Sequence, residues 1–326
     1  MAVAMSSTSV LQSGNALKQM LSNPWSYFPN MIGGDLVGIV QVGPSRFLVA
    51  FGKTWTSGVA SQTDPPTFSS PVSGGPRLFD VDTSARQAHE ITSGLLLSPH
   101  ASLRAVSPAG TGMHIVVSTS TGTHAQFIQN FSNQTLRALD PKPLTPSFRA
   151  NGEGRLVEWD RGAANYSHGF FAVGADSDNQ LYVSQVRTPL TAAGGYDPSM
   201  RSYLSDKGWT RRSTEQTPLR RVGGMPLLSS VPVGLTYMTR GQAWFILIPH
   251  QVGGTWGWEL LKASSLLSPF RHVSYVPGVS AVPVAARFHP GLVLETDPTM
   301  PPGVAWSYSP EAGGTFYPRL DQLVEE

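Results

Sequence analysis

Cysteine is absent from this 326-residue sequence, and charge is scarce, since Asp, Glu, Lys and Arg together make up 13% of the residues. The lack of cysteine excludes disulfide bonds, thiolate catalysis and cysteine-ligated metal sites. Acidic and basic residues nearly cancel, which leaves a formal net charge of +2 at pH 7. No stripe of Lys and Arg marks a surface for a phosphate backbone, so we expect no nucleic-acid partner.

Long apolar runs are missing as well. Windows such as AWFILIP, residues 243–249, are too short to cross a bilayer, and we expect no membrane span. The first 25 residues show neither the basic n-region nor the apolar h-region of a signal peptide. The sequence leaves the localisation open: cytoplasmic by default, and extracytoplasmic if the substrate is a cell-wall glycan.

Turn-forming residues, by contrast, are abundant, with 33 Gly and 27 Pro. These residues disfavour helices and shape tight turns, so we predict many short strands. Five groups of apolar strands begin near residues 36, 103, 156, 231 and 282, a spacing that suits propeller blades with variable loops. We predict an all-β fold, a five-bladed β-propeller, with a two-sheet β-sandwich as the alternative. The predicted organisation is an N-terminal extension over residues 1–30, with a short helix at 14–22, and a single propeller domain over 31–326.

Three turns favour the propeller over the sandwich. The segments SDKGW (205–209), GGTWGW (253–258) and SPEAGGTF (309–316) each place glycine before an aromatic residue. In such a turn, Ser, Thr or an acid can hydrogen-bond the backbone, glycine allows the tight bend, and the aromatic ring anchors the turn in the core. An ordinary hairpin can carry the same pattern, so the argument depends on the three occurring together.

The tripeptide Gly52-Lys53-Thr54 matches the end of a phosphate-binding loop. That loop needs another glycine five residues before Gly52, at the position of Phe47, and a helix after the threonine to hold the phosphates. Phe47 lies in a strand-like run, and Trp55-Thr56-Ser57-Gly58 does not begin a helix. We therefore predict the end of a strand here, with no nucleotide cofactor. The eight histidines form no pair at helical spacing, so no metal is expected.

Carboxylates beside apolar strands are the remaining candidates for chemistry. Asp35 opens the first strand in MIGGDLVGIVQV, and Asp160 stands in RLVEWDRGAANYSHGFFAV. Acids that open inner strands of different propeller blades converge on the axis, and a glycosidase needs two carboxyl groups there. A turn cap, or an ion pair of Asp160 with Arg161, is the structural alternative. Glu295 and Asp297 stand before Pro298 and are predicted to lie in a turn.

The segments GGDLVGIVQ…RFLVAFGKTW, VEWDRGAANYSHGFFAVGADSDNQLYVSQVR and YLSDKGWTRR resemble an actinobacterial β-propeller family, long a domain of unknown function, that includes the glycoside hydrolase family 183 endo-D-arabinanases. The resemblance covers about a third of the chain. It implies cleavage of mycobacterial cell-wall arabinan. The matching acids are Asp35, in the first strand, and Asp160, in the Asp-Arg-Gly segment with Arg161.

The first hypothesis is a glycoside hydrolase of arabinose-containing cell-envelope polysaccharide. In it Asp35 and Asp160 are the catalytic carboxylates, and the substrate-binding residues are Trp55, Trp159, Arg161 and His168. One position departs from the family, whose strand-end motif reads Phe-Gly-Asp-Thr, because position 53 is Lys. That lysine favours a second hypothesis, a non-catalytic carbohydrate-binding propeller. The third is a protein-interaction scaffold. We expect a monomer whose partner is a polysaccharide or oligosaccharide.

Overall fold

The computed structural model describes residues 3–6, 12–56, 72–92, 94–95, 97, 101–109, 112–120, 122–130, 136–138, 142–144, 155–161, 169–187, 201–231, 233–238, 242–252, 254–280, 286–289, 303–308, 311–312, 315–316 and 319–325. Two helices lie near the start, α1 (Gln12–Ser22) and α2 (Pro24–Tyr27), and α1 spans the residues of the expected short helix. Nowhere in these ranges does a helix reach the length and apolar character that a bilayer crossing requires.

Strands dominate the rest, and they form five sheets of at least four strands each, which we number as blades in chain order. Blade 1 contains β2 (Gly33–Gln41), β3 (Arg46–Thr56), β5 (Arg77–Asp82) and β6 (Gln87–Glu90), with β4 (Val72–Gly74) on the side of β3. Blade 2 contains β7 (Ser102–Ala109), β8 (Gly112–Thr119), β9 (Gly122–Asn130) and β10 (Leu136–Ala138), with β11 (Lys142–Leu144) beside β9.

Blade 3 contains β12 (Arg155–Arg161), β13 (Gly169–Ala175), β14 (Leu181–Arg187), β15 (Arg201–Ser205) and β16 (Gly208–Thr210). Blade 4 contains β17 (Gly234–Met238), β18 (Ala243–Val252), β19 (Thr255–Ala263) and β20 (Arg271–Ser280). Blade 5 contains β21 (Ala286–His289), β22 (Gly303–Tyr308), β25 (Arg319–Glu325) and β1 (Val3–Ser6). A two-stranded hairpin of β23 (Glu311–Ala312) and β24 (Thr315–Phe316) follows β22.

The inner strands of the five blades close a ring. Strand β2 lies beside β7, β7 beside β12, β12 beside β17, β17 beside β21, and β21 beside β2. Each blade begins within a few residues of a position expected from the apolar groups. The chain is therefore an all-β, five-bladed β-propeller, as predicted. Because the blades repeat around one axis, their inner strands run in the same direction. We call the end of the axis at which they begin the entry end.

Blade 5 is completed by the two ends of the chain. Strand β1 pairs antiparallel with β25 over Val3–Ser6, so the outermost strand of the last blade comes from the first residues. Strand β1 lies inside the segment expected to be an extension, and it takes part in the propeller itself. Helix α1 packs Leu17, Met20 and Leu21 into the core cluster that contains blade 1 residues and Ala305 of blade 5.

Apolar clusters fill the boundaries between neighbouring blades, which explains why both faces of a strand such as β3 are buried over most of its length. One cluster joins blades 1 and 2, and it includes Val37, Leu48, Leu103 and Ile115. Others lie between blades 3 and 4 and between blades 4 and 5. This arrangement places the polar residues of interest at strand ends and at the axis.

Of the three aromatic turns, the first behaves as its sequence predicts, the second is described in part, and Gly313 and Gly314 of the third lie outside the described residues. Strands β15 and β16 form a hairpin in which the Ser205 hydroxyl donates to the Gly208 carbonyl at 2.8 Å, Gly208 has φ +108°, and Trp209 packs on the core between blades 3 and 4. Gly254, with φ +85°, turns β18 into β19. The hairpin of β13 and β14 closes through Asp176, whose Oδ1 accepts from the amides of Asp178 and Gln180.

Candidate functional site

The inner strands of three blades share an irregularity in their pairing, which allows positions along the propeller axis to be compared between blades. The inner strands of blades 1, 2 and 3 each skip one residue in their pairing, between Leu36 and Gly38, between Leu103 and Ala105, and between Leu156 and Glu158. A leucine therefore precedes the extra residue in all three strands, near the entry end. The position before that leucine is Asp35 in blade 1, Ser102 in blade 2 and Arg155 in blade 3. Among these three, an acid occurs in blade 1 alone.

Asp35 is the carboxylate that the fold places at the entry end. It is the third residue of β2, and its side chain is 18% exposed. Its Oδ2 lies 3.8 Å from Nη2 of Arg287, which belongs to the inner strand of blade 5. Its Oδ1 is buried and has no hydrogen-bond partner among the described residues. This oxygen can accept a hydrogen bond that the described residues do not supply.

Arg287 and His289 point to one side of β21 because residues two apart on a strand share a face. Arg287 is 4% exposed, and its Nε and Nη1 atoms have no partner in the described part of the chain. The Nε2 atom of His289 is hydrogen-bonded to the Ser307 hydroxyl at 2.7 Å. Burial lowers the pKa of His289 to about 3, and the nearby positive charge of Arg287 adds to the shift. His289 is therefore neutral at physiological pH.

Lys53 pairs with Asp35 across the first two strands of blade 1. Its side chain is exposed, and its Nζ lies 4.9 Å from the centroid of the Trp55 ring. Trp55 itself is 5% exposed. The ammonium group therefore lies on the tryptophan, in a cation–π contact, while Arg287 is the cation beside Asp35. Gly52 is the residue that β3 skips in pairing with β2, between Lys53 and Phe51.

Asp160 occupies a different level from Asp35. It is the sixth of seven residues in β12, whereas Asp35 is third in its strand. Counted from the extra residues Val37 and Val157, the two positions differ by five residues along the axis, which corresponds to about 16 Å of strand. A pair of glycosidase carboxylates spans about 5 to 10 Å. The backbone levels therefore give no support for direct cooperation between the two acids, and their pairing stays a prediction for variants to test.

The other predicted site residues can be placed only in part. Trp159 and Arg161 flank Asp160 in β12, where the backbone pairs with β13. His168, Glu295 and Asp297 lie outside the described residues. Trp55 is buried beneath Lys53, so it could stack on a sugar only after Lys53 has moved.

Sequence reasoning missed Arg287, His289 and Ser307. The signal for the first two was present in VAARFHPG, where an arginine and a histidine alternate with apolar residues in a short strand. Two polar residues on one face of an otherwise buried strand mark a face that needs partners. Within the residues that the structure describes, no three His, Asp or Glu side chains gather in a way that could hold a metal ion.

Comparisons with known proteins bear on the fold. Searches found no matching protein-family model and no matching curated protein. Among solved structures, the chain is similar to the catalytic domain of a GH62 alpha-L-arabinofuranosidase from Coprinopsis cinerea, at 12% sequence identity and a TM-score of 0.54, over 93% of this chain and 94% of that one. It is also similar to an exo-beta-1,3-galactanase from Phanerochaete chrysosporium, at 11% identity and a TM-score of 0.46, over 99% of this chain and 64% of that one.

Identities this low show a shared fold and nothing finer, and only the first of the two TM-scores is high enough to support even that. The comparison agrees with the ring of five blades. It carries no information on chemistry, which depends on the residues at the entry end.

Proposed function

We propose that this chain is a glycoside-hydrolase-like propeller that acts on an arabinose-containing polysaccharide of the cell envelope. The observation that carries the proposal is Asp35, a carboxylate at the entry end with one oxygen unpaired among the described residues and with Arg287 at 3.8 Å from the other. Sugar hydroxyls donate hydrogen bonds readily to a carboxylate, the Asp35 side chain is 18% exposed, and a few well-placed polar groups suffice to orient a bound ligand.

The substrate class in this proposal comes from two independent similarities. The described fold is shared with the catalytic domain of an alpha-L-arabinofuranosidase. The motifs around Asp35 and Asp160 resemble those of the glycoside hydrolase family 183 endo-D-arabinanases. The motif resemblance is needed beside the fold, because one propeller fold can host unrelated functions.

In the proposed mechanism, Asp35 contacts the sugar and acts as base or nucleophile, and Arg287 holds its carboxylate in place from the neighbouring blade. Hydrolysis needs a second carboxyl group to protonate the leaving oxygen. Asp160 is the candidate for that role. The backbone level of Asp160 differs from that of Asp35.

The test is to incubate the purified protein with arabinogalactan, lipoarabinomannan and polysaccharides that lack arabinose. Released oligosaccharides are measured by chromatography, and binding is measured by calorimetry. We expect Asp35→Asn to abolish cleavage and to weaken binding at least about tenfold, the effect of losing one charged hydrogen-bond acceptor. Asp206→Asn, at an exposed turn, is the matched control and should change neither. If Asp35→Asn leaves both quantities intact, the site lies elsewhere.

A second candidate function is binding without cleavage, and Lys53 is the observation that favours it. An ammonium group stands at the position where the resembled family has an acid, and it cannot serve as a carboxylate base. This candidate predicts saturable arabinan binding with no released product. Lys53 is exposed, so Lys53→Asp should fold normally. Cleavage gained by that variant would identify position 53 as the missing catalytic acid, and wild-type protein that neither binds nor cleaves would favour the scaffold hypothesis.

A further inference from the structure

Exposed apolar side chains gather on one segment far from Asp35 in sequence. We define the rim turn as residues 219–229, which connect blade 3 to blade 4. Val222 and Met225 are each 67% exposed, and Leu228 is 52% exposed. Leu267, in the loop between β19 and β20, is 54% exposed. Large apolar side chains held this far into solvent on a well-packed segment mark an interaction surface.

The rim turn is held firmly from below. Leu219 and Leu227 are fully buried in the cluster between blades 3 and 4, and the amide of Leu227 donates to the carbonyl of Leu219 at 2.8 Å. The amide of Leu219 donates to the carbonyl of Leu181 in blade 3, also at 2.8 Å. Leu219 and Leu227 therefore anchor the segment in the core, whereas Val222, Met225 and Leu228 are exposed to solvent.

The tip of the rim turn is a tight bend. Its backbone closes through hydrogen bonds from the Arg221 amide to the Met225 carbonyl and from the Gly224 amide to the Arg221 carbonyl, both at 2.9 Å. Gly223 and Gly224 have φ of +96° and +83°, a conformation that glycine adopts without strain. Val222 and Met225 flank this glycine pair, so the tip is convex and apolar.

Arginines surround the tip. The amide of Val222 donates to the Phe270 carbonyl at 2.9 Å, which brings Arg271 alongside. Arg220 and Arg271 are exposed, and neither forms an ion pair with a residue that the structure describes. Arg221 pairs with Glu259 at 3.0 Å. One exposed acid, Asp178, lies on the flank, next to Asn179, whose carbonyl accepts from the Ser229 amide.

We propose that the rim turn docks on an anionic lipid surface. Two signals together give stable peripheral binding: apolar side chains that enter the headgroup region, and basic residues that meet lipid phosphates. Val222, Met225 and Leu228 supply the first signal, and Arg220 and Arg271 the second. A small convex tip suits insertion between headgroups, whereas stable protein–protein contacts use broad complementary patches. This inference stands apart from the entry-end site and does not rest on the function proposed above.

The test is co-sedimentation of the full chain with phosphatidylcholine vesicles that contain about 30% phosphatidylglycerol, compared with pure phosphatidylcholine, at about 0.1 M salt. We expect binding to the anionic vesicles and little to the neutral ones. The double variant Arg220→Gln/Arg271→Gln should weaken binding about 25-fold, since each arginine near the surface contributes about fivefold. Met225→Gln should weaken it about tenfold while leaving the fold intact, because the side chain is exposed.

Matched controls lie on blade 1. Val72→Asn removes an exposed apolar side chain there, and Arg86→Gln removes an exposed arginine. Neither should alter vesicle binding. The proposal is overturned if the anionic vesicles do not bind the chain, or if the rim-turn variants bind as tightly as the controls. It is also overturned if light scattering shows a dimer that Met225→Gln disrupts, because the tip would then cover a second copy of this chain.

Discussion

Acidification should destabilise this protein through His289, the imidazole buried between the last and first blades. Its Nε2 is bonded to the Ser307 hydroxyl at 2.7 Å, and the Arg287 guanidinium lies on the same face of β21. A proton added to the ring would create a second positive charge in a buried site that already holds one. The folded protein therefore keeps His289 neutral, with a pKa of about 3.

The sign and the size follow from linkage. In the unfolded chain a histidine has a pKa of about 6.5, so between pH 6.5 and 3 the unfolded state binds a proton that the folded state refuses. Stability is then lost as the pH falls through that window. From pH 7.5 to pH 5.0 the loss attributable to His289 is about 2 kcal/mol, from 1.5 pH units at about 1.36 kcal/mol each. Other groups titrate too, so the measurement must isolate one residue.

The assay is urea unfolding of the wild type and of His289→Gln at pH 7.5, 6.0 and 5.0. Glutamine can still hydrogen-bond Ser307 but does not titrate. We expect the wild type to lose about 2 kcal/mol more than the variant over that range. His89→Gln, at an exposed position, should follow the wild type. Equal pH slopes for the wild type and His289→Gln would refute the reasoning, since the ring would then not be excluded from protonation by the fold.

Two further variants test the packing around the blades. Gly52→Ala would place Cβ 2.6 Å from a methyl group of Val37 and should cost about 1–3 kcal/mol in urea unfolding, whereas Gly43→Ala, with its nearest neighbour at 3.5 Å, should cost little. Asp176→Ala leaves two turn amides and a buried tyrosine hydroxyl without their acceptor, and it should lower the free energy of unfolding by about 2 kcal/mol. The exposed Asp178→Ala should lower it by almost nothing. Equal losses for the two variants would show that the Asp176 contacts do not stabilise the hairpin.

Much of the fold was predictable because its signals are local. Glycine and proline fix turns, and the apolar groups between them give the number of blades. The Ser205 and Gly208 turn illustrates the physics: the hydroxyl satisfies the turn backbone, the glycine takes a positive φ, and Trp209 packs below. Each of these contacts spans only a few residues, so the sequence contains the whole explanation.

The parts that sequence reasoning missed depend on contacts across the whole chain. Strand β1 joins blade 5 through pairing with residues near the other end, and nothing in VAMS itself indicates that partner. Arg287 approaches Asp35 only because the ring closes between β21 and β2. Sequence reasoning also failed to predict how far along the axis each residue lies, for a related reason. A position within a strand becomes a height only after the pairing irregularities near Val37 and Val157 are known, so Asp35 and Asp160 looked equivalent in the sequence.

Lys53 is interpreted differently from the sequence alone and from the structure. From sequence alone it replaces an acid and casts doubt on hydrolysis. In the structure its ammonium lies over Trp55 at 4.9 Å, so the charge is used to cover an aromatic ring and not to neutralise the opposite carboxylate. Asp35 is left with Arg287 and with an unpaired oxygen among the described residues, and it keeps its capacity to accept from a ligand. The saccharide recognition that we propose at Asp35 therefore does not require an acid at position 53. Cleavage does require a second carboxyl group, and stacking on Trp55 requires the lysine to move.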